Sequence, residues 1–224
     1  MRYLAELPPP EKGLRLKGIA LGYGIQNYTC ADAGANATAT GALAGLYDIM
    51  PFYPGQGDAS LDQEAFDGLT AAVIEAAADN IPLNLVTDMP DRAPASVPGA
   101  DATSPFNTPF APLPIPGQDI QLQPMGEHFF NSEGVPVFKL DSGLSIMCAK
   151  LDGFDAPLDA AAGPAGEGAV AWLRLGAKEG TEGNGTEGIK FVYRVMTGAG
   201  SSHGCKDGGK SDSSYYTAEY WFYG

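Results

Sequence analysis

The C-terminal half of the chain is patterned in short runs of alternating character. In 189–197, Ile189, Phe191, Tyr193 and Val195 alternate with Lys190, Val192, Arg194 and Met196. That period of two is the mark of a half-buried antiparallel strand. Strands are also predicted over 135–140, 144–150, 169–177 and 215–223, separated by Gly- and Asp-rich turns. Strands in succession without helices between them predict a sandwich or a barrel. Nearer the start, Leu7-Pro8-Pro9-Pro10 is an extended polyproline lead-in. A first strand is predicted over 14–21, continuing over 26–30 after a turn at Gly22-Tyr23-Gly24, and a small, apolar run at 41–49 reads as a buried strand ending at Asp48.

Two stretches break this pattern. Over 60–80, Leu61, Ala65, Leu69, Ala72 and Ala76 recur at helical spacing, with Ser60 as the cap, Gln63 three residues on as in a capping box, and Pro82 as the stop. Residues 90–124 hold half of the chain's 18 prolines. Within it, residues 105–116 cannot form a central ladder strand. Its Phe106, Phe110, Leu113 and Ile115 are too apolar for a solvated linker, so residues 88–124 are expected to wrap the body. The expected fold is mainly β: an antiparallel β-sandwich or barrel with one added helix at about 60–80 and a long Pro-rich loop. A single β-rich domain over 1–224 suits this length, since all-β domains often reach about 200–250 residues.

Charge narrows the partners. The formal net charge is −14, and between Gly18 and Phe138 the only Lys or Arg is Arg92. A nucleic-acid partner needs phosphates neutralised by cations, which argues against one here. The same shortage argues against an anionic membrane face. No run approaches the roughly 18 apolar residues of a membrane span, and Met1-Arg2-Tyr3-Leu4-Ala5-Glu6 has no apolar signal core. The protein is therefore cytosolic, or its signal peptide is missing from this sequence. Few, widely spaced cysteines, an acidic balance and three glycosylation sequons, at Asn27, Asn36 and Asn184, favour a secreted, extracellular glycoprotein.

Candidate chemistry is sparse. Three cysteines, Cys30, Cys148 and Cys205, allow three pairings; Cys148 alternates with Leu144 and Ile146 as an inward apolar residue would. Gly200-Ser201-Ser202-His203-Gly204 matches the nucleophile-elbow spacing, yet turn residues follow where that motif requires a helix. With only His128 and His203, a three-histidine zinc site is impossible, and no HExxH or CxxC spacing supports two histidines joined by Glu127, Asp207 or Asp212. No metal is expected. Gly22-Tyr23-Gly24 lacks the third glycine and the helix of a dinucleotide fingerprint, so no nucleotide cofactor is expected. His128, beside a turn at Gly126 and ahead of Phe129-Phe130, is the candidate for a functional group titrating near neutral pH. Glu219 alternates with Thr217 and Trp221 on a strand, where desolvation would raise its pKa unless Lys190 or Arg194 pairs with it. Asp48 is the third weak catalytic candidate.

Six blocks in order carry a family likeness. They are Gly24-Ile25-Gln26-Asn27-Tyr28-Thr29-Cys30, Leu46-Tyr47-Asp48, Gly126-Glu127-His128-Phe129-Phe130, Val170-Ala171-Trp172-Leu173, Tyr193-Arg194-Val195-Met196-Thr197 and Tyr216-Thr217-Ala218-Glu219-Tyr220-Trp221-Phe222-Tyr223. Together they resemble the family known as domain of unknown function 3455, found in secreted proteins of filamentous fungi and in some bacteria. The resemblance implies a secreted β-rich domain and Cys30 with Cys205 as the bridged pair. It implies no activity, and the malate dehydrogenase label on some relatives requires nucleotide-binding glycines that this chain lacks. The expected function is non-catalytic binding of a cell-wall or surface ligand, such as a polysaccharide. The alternative is a secreted hydrolase or lyase built on His128 with Asp48, Glu127 or Glu219.

Overall fold

The computed structural model describes residues 6–76, 79–88, 91–206 and 208–224. Two long strands open the chain, β1 (Leu16–Thr29) and β2 (Thr38–Asp48). A helical turn at Met50–Phe52, helices α1 (Gln63–Asp67) and α2 (Leu69–Glu75), and three two-residue strands follow: β3 (Leu85–Val86), β4 (Gly99–Ala100) and β5 (Leu113–Pro114). The remainder is six strands: β6 (Gln121–Phe130), β7 (Pro136–Leu140), β8 (Ser145–Phe154), β9 (Trp172–Ala177), β10 (Phe191–Ala199) and β11 (Ser211–Tyr223).

The sheet closes on itself. β1 pairs with β2 on one side and, from Leu16↔Tyr223 to Thr29↔Ser211, with β11 on the other. From β11 the antiparallel order runs through β10, β9, β8 and β7 to β6. β6 then returns to β2 through Ala44↔His128 and Leu46↔Gly126. Eight strands thus form a ring in which each has two hydrogen-bonded neighbours, which removes the free edges an open sheet exposes. Of the two predicted architectures, the chain adopts the barrel.

Alternation divides the side chains between two cores. Phe138, Ile146, Tyr216, Tyr220 and Phe222 fill the lumen. On the outer wall, Ile19, Leu21, Tyr23 and Tyr47 are covered by Phe66, Leu69 and Val73 of the helices and by Leu113 and Ile115 of the Pro-rich stretch. Each such burial is worth about 1.5–3 kcal/mol. Within the Pro-rich segment, Leu113 and Ile115 thus pack on this wall, and Phe110 lies against Tyr47; Met89 and Pro90 lie outside the described residues.

Several local expectations are corrected. Gly22 and Gly24 make no turn: β1 runs straight through them. A Cβ on Gly22 would sit 2.5 Å from the Tyr220 ring, so the glycine is there to admit an aromatic into the lumen. The helix is broken at Gly68 into two short pieces, and the cap is Asp62, whose carboxylate accepts the Ala65 N–H at 2.8 Å. Ser60 instead accepts from the N–H groups of Gln56 and Gly57. The buried stripe is Phe66, Leu69, Thr70, Val73 and Ile74. α2 ends at Glu75; the Ala77 and Ala78 of the predicted helix lie outside the described residues. β6 was not anticipated, because Pro124 and Gly126 read as breakers. Both are accommodated where the β2–β6 register shifts between Leu46 and Tyr47.

Candidate functional site: a polar pocket in the barrel lumen

One end of the barrel holds a cavity of about 240 Å³, lined by Ala42, Phe130, Pro136, Phe138, Leu173, Leu175 and Tyr220 together with Gln26, His128, Lys150 and Arg194. Alternation explains how each polar group arrives there. Gln26 follows Gly22 and Gly24 on the inward face of β1. His128 stands opposite Ala44 on β2 and Phe138 on β7. Arg194 stands opposite Tyr220 of β11. On β10 it is thus the Val192 and Arg194 face that turns inward, with the more apolar face of the predicted alternation turned outward.

The hydrogen bonds are specific. His128 Nδ1 lies 2.8 Å from the Val137 carbonyl, so that nitrogen carries the proton and Nε2 is left as an acceptor. The ring stacks on Phe138, centroids 4.0 Å apart and planes at 6°. Burial pushes its pKa down to about 4, and the nearby Arg194 charge adds to the effect, so His128 is neutral at neutral pH and does not titrate there as the sequence suggested. Arg194 donates from Nε and Nη2 to the Ala171 carbonyl at 3.0 and 2.9 Å, and also lies against the Tyr220 hydroxyl. Tyr220 in turn donates to Tyr216. Gln26 is 6% exposed, and its Nε2 has no hydrogen-bond partner. A buried amide left unpaired costs about 1–3 kcal/mol, so this cavity carries an unmet donor.

The predicted site residues are not brought together. Glu219 faces the outer wall, 1% exposed, with Oε2 accepting the Trp221 indole N–H at 2.9 Å. Burial pushes its pKa up to about 8, and the Asp67 charge adds to that rise; neither Lys190 nor Arg194 pairs with it. Asp48 lies four residues along β2 from the Ala44 that faces His128 and accepts the Met50 N–H at 2.9 Å, fixing the turn that follows. Glu127 points outward and pairs with Lys139 at 3.7 Å. Alternation along β6 sends Glu127 and His128 to opposite faces, and no pattern in the sequence marked Gln26 or Arg194 as members of one site.

Beside the lumen, Cys30 and Cys205 are bridged across 175 residues, and Cys148 is a buried free thiol. The elbow-like loop next to the bridge is wired differently from a nucleophile. Ser202 Oγ donates to Asp212 Oδ2 at 2.7 Å, and His203 Nδ1 lies 2.8 Å from Oδ1, so the serine engages the carboxylate and not the histidine. Among the described residues no three His, Cys, Asp or Glu side chains cluster as metal ligands; Asp207 lies outside them. Among the described residues no helix is long and apolar enough to cross a membrane. Asn36 and Asn184 are exposed, whereas Asn27 sits in β1 and accepts from Ser213 Oγ.

The eight strands thus make an antiparallel, up-and-down barrel with a pocket inside one end, lined by apolar side chains and four polar ones. The chain belongs to a family described as protein of unknown function (DUF3455), whose model matches residues 10–224. No curated protein and no solved structure matches the chain.

Proposed function

We propose that this protein is a non-catalytic, secreted binding protein that holds a small ligand in the barrel lumen. The observation that carries this reading is the unpaired Gln26 amide beside a cavity whose walls are otherwise mostly apolar and aromatic, a combination suited to orienting a partly apolar ligand. Phe138, Leu175 and Tyr220 are buried at its floor, while Lys150 is exposed at its rim. The size supports a small molecule rather than a polysaccharide chain, so a cell-wall or surface ligand would be met through its low-molecular-weight constituents. A hydrolase or lyase around His128 would need an acid beside the imidazole, and the cavity lining contains none. The long-range disulfide, the exposed sequons at Asn36 and Asn184 and the acidic balance support an extracellular setting.

The test is a fragment screen by NMR, with the Gln26 side-chain amide and the His128 ring as reporters and mass spectrometry of the recovered fragments. Binders should shift those two signals and return unchanged. Chemical conversion of a bound fragment would make the protein an enzyme, and binders that leave both signals unmoved would place the site elsewhere.

A further inference from the structure

Around the ring of strands the order is β1, β2, β6, β7, β8, β9, β10, β11. Gln26, His128, Lys150 and Arg194 stand on β1, β6, β8 and β10, every second strand. His128 and Arg194 are therefore on opposite walls, with Gln26 and Lys150 between them on either side. The four do not offer the same chemistry. Arg194, Lys150 and the Gln26 amide donate, whereas the His128 Nε2 accepts.

The charge is also unbalanced. The chain has 27 Asp and Glu against 13 Lys and Arg, yet the cavity is lined by two cations and no acid. Arg194 makes no salt bridge among the described residues. A partly buried guanidinium is normally paired with an anion. Here its recorded partners are the Ala171 carbonyl and the Tyr220 phenol, both neutral. Between the polar groups lie the stacked His128–Phe138 pair and Phe130 on one side and Leu173 and Leu175 on the other.

We propose that the lumen selects a small aromatic carboxylate bearing a hydroxyl group: Arg194 and Gln26 hold the carboxylate, Lys150 draws it in at the rim, and His128 Nε2 accepts a hydrogen bond from the hydroxyl across the ring. This rests on the lumen-binding reading above and adds a ligand class to it. Arg–carboxylate contacts are charge-assisted and stronger than neutral hydrogen bonds, so the acid function dominates affinity. The hydroxyl contact adds a smaller, directional preference.

The experiment titrates the full chain with 4-hydroxybenzoate, benzoate and phenol, reading affinity by calorimetry and location by the Gln26 amide and His128 ring signals. The expected order is 4-hydroxybenzoate, then benzoate, then phenol. Arg194→Gln should weaken both acids by about tenfold or more while leaving phenol unchanged. Arg194→Lys, which keeps the charge, should retain most of the acid preference. His128→Phe should erase the advantage of 4-hydroxybenzoate over benzoate. Raising the salt concentration on the wild-type chain needs no variant, and should weaken the acids but not phenol. Phenol binding in the lumen as tightly as the acids would overturn the carboxylate assignment and leave lumen binding intact. If none of the three moves the Gln26 or His128 signals, this inference is overturned, whereas the lumen reading falls only if the fragment screen also leaves both signals unmoved.

Discussion

His128 and Glu219 lie on opposite sides of the barrel wall, and burial shifts them in opposite senses, giving the protein two pH slopes of contrary sign. Unfolded, Glu219 loses its proton near the ordinary glutamate value of 4.5; folded, it holds the proton to about pH 8. The native state thus binds more protons between those values, and stability falls as pH rises from about 4.5 to 8. For His128 the ordinary value is 6.5 and the folded one about 4, so stability is lost as pH falls from 6.5 to 4. The two effects oppose each other between about 4.5 and 6.5, Glu219 alone acts above that window, and His128 alone below it. The groups facing Glu219 are Trp221 on its own strand and Asp67 from α1, with uncharged Leu21 and Val195 at the paired positions on β1 and β10. Among the described residues no cation offsets its ionised form. Glu219→Gln should therefore raise the melting temperature at pH 8, do little at pH 4, and flatten the fall between. Equal melting shifts at both pH values would show that the side chain is not the titrating group.

At the level of the element, the glycines of β1 decide how the lumen is filled. Gly22 is extended strand, and a Cβ there would meet Tyr220 at 2.5 Å. Gly22→Ala should cost about 1–3 kcal/mol, the usual penalty for overpacking, measured as a lower denaturant midpoint at unchanged slope. Adding Tyr220→Leu should restore part of the loss, whereas an additive double variant would mean that the glycine serves backbone freedom alone. The same glycine shows why the sequence was only partly legible. Apolar and alternating runs bounded by turn residues located β2, β7, β8, β9, β10 and β11 to within a few residues, because such patterning is local. Gly22 was misread as a turn because a close approach to Tyr220, 198 positions away, leaves no local trace. β6 was hidden by Pro124 and Gly126, and with it the strand that closes the ring. The lumen site suffered most: Gln26 and Arg194 are ordinary strand residues until the register of β1, β11 and β10 turns both inward.

For the whole molecule, the Cys30–Cys205 bridge ties the end of β1 to the loop before β11, across 175 residues. On the chain-entropy account a loop of that length is worth about 5 kcal/mol, and measured values run from about 2 to 5. Cys30→Ser with Cys205→Ser should lower the unfolding free energy within that range while the lumen residues keep their NMR signature, since β1 and β11 remain paired along their length. A loss of the lumen signals would mean that the bridge, and not the strand ladder, shapes the pocket. The same β1–β11 pairing bears on how the chain is made. β1 finds its most extended partner only when β11, almost two hundred residues later, has emerged, which gives the fold a high contact order and a slow closing step. Until then a growing chain presents the unsealed edge of β1, with Ile19, Leu21 and Ile25 along it, and that nascent edge needs shielding from neighbouring chains during translation.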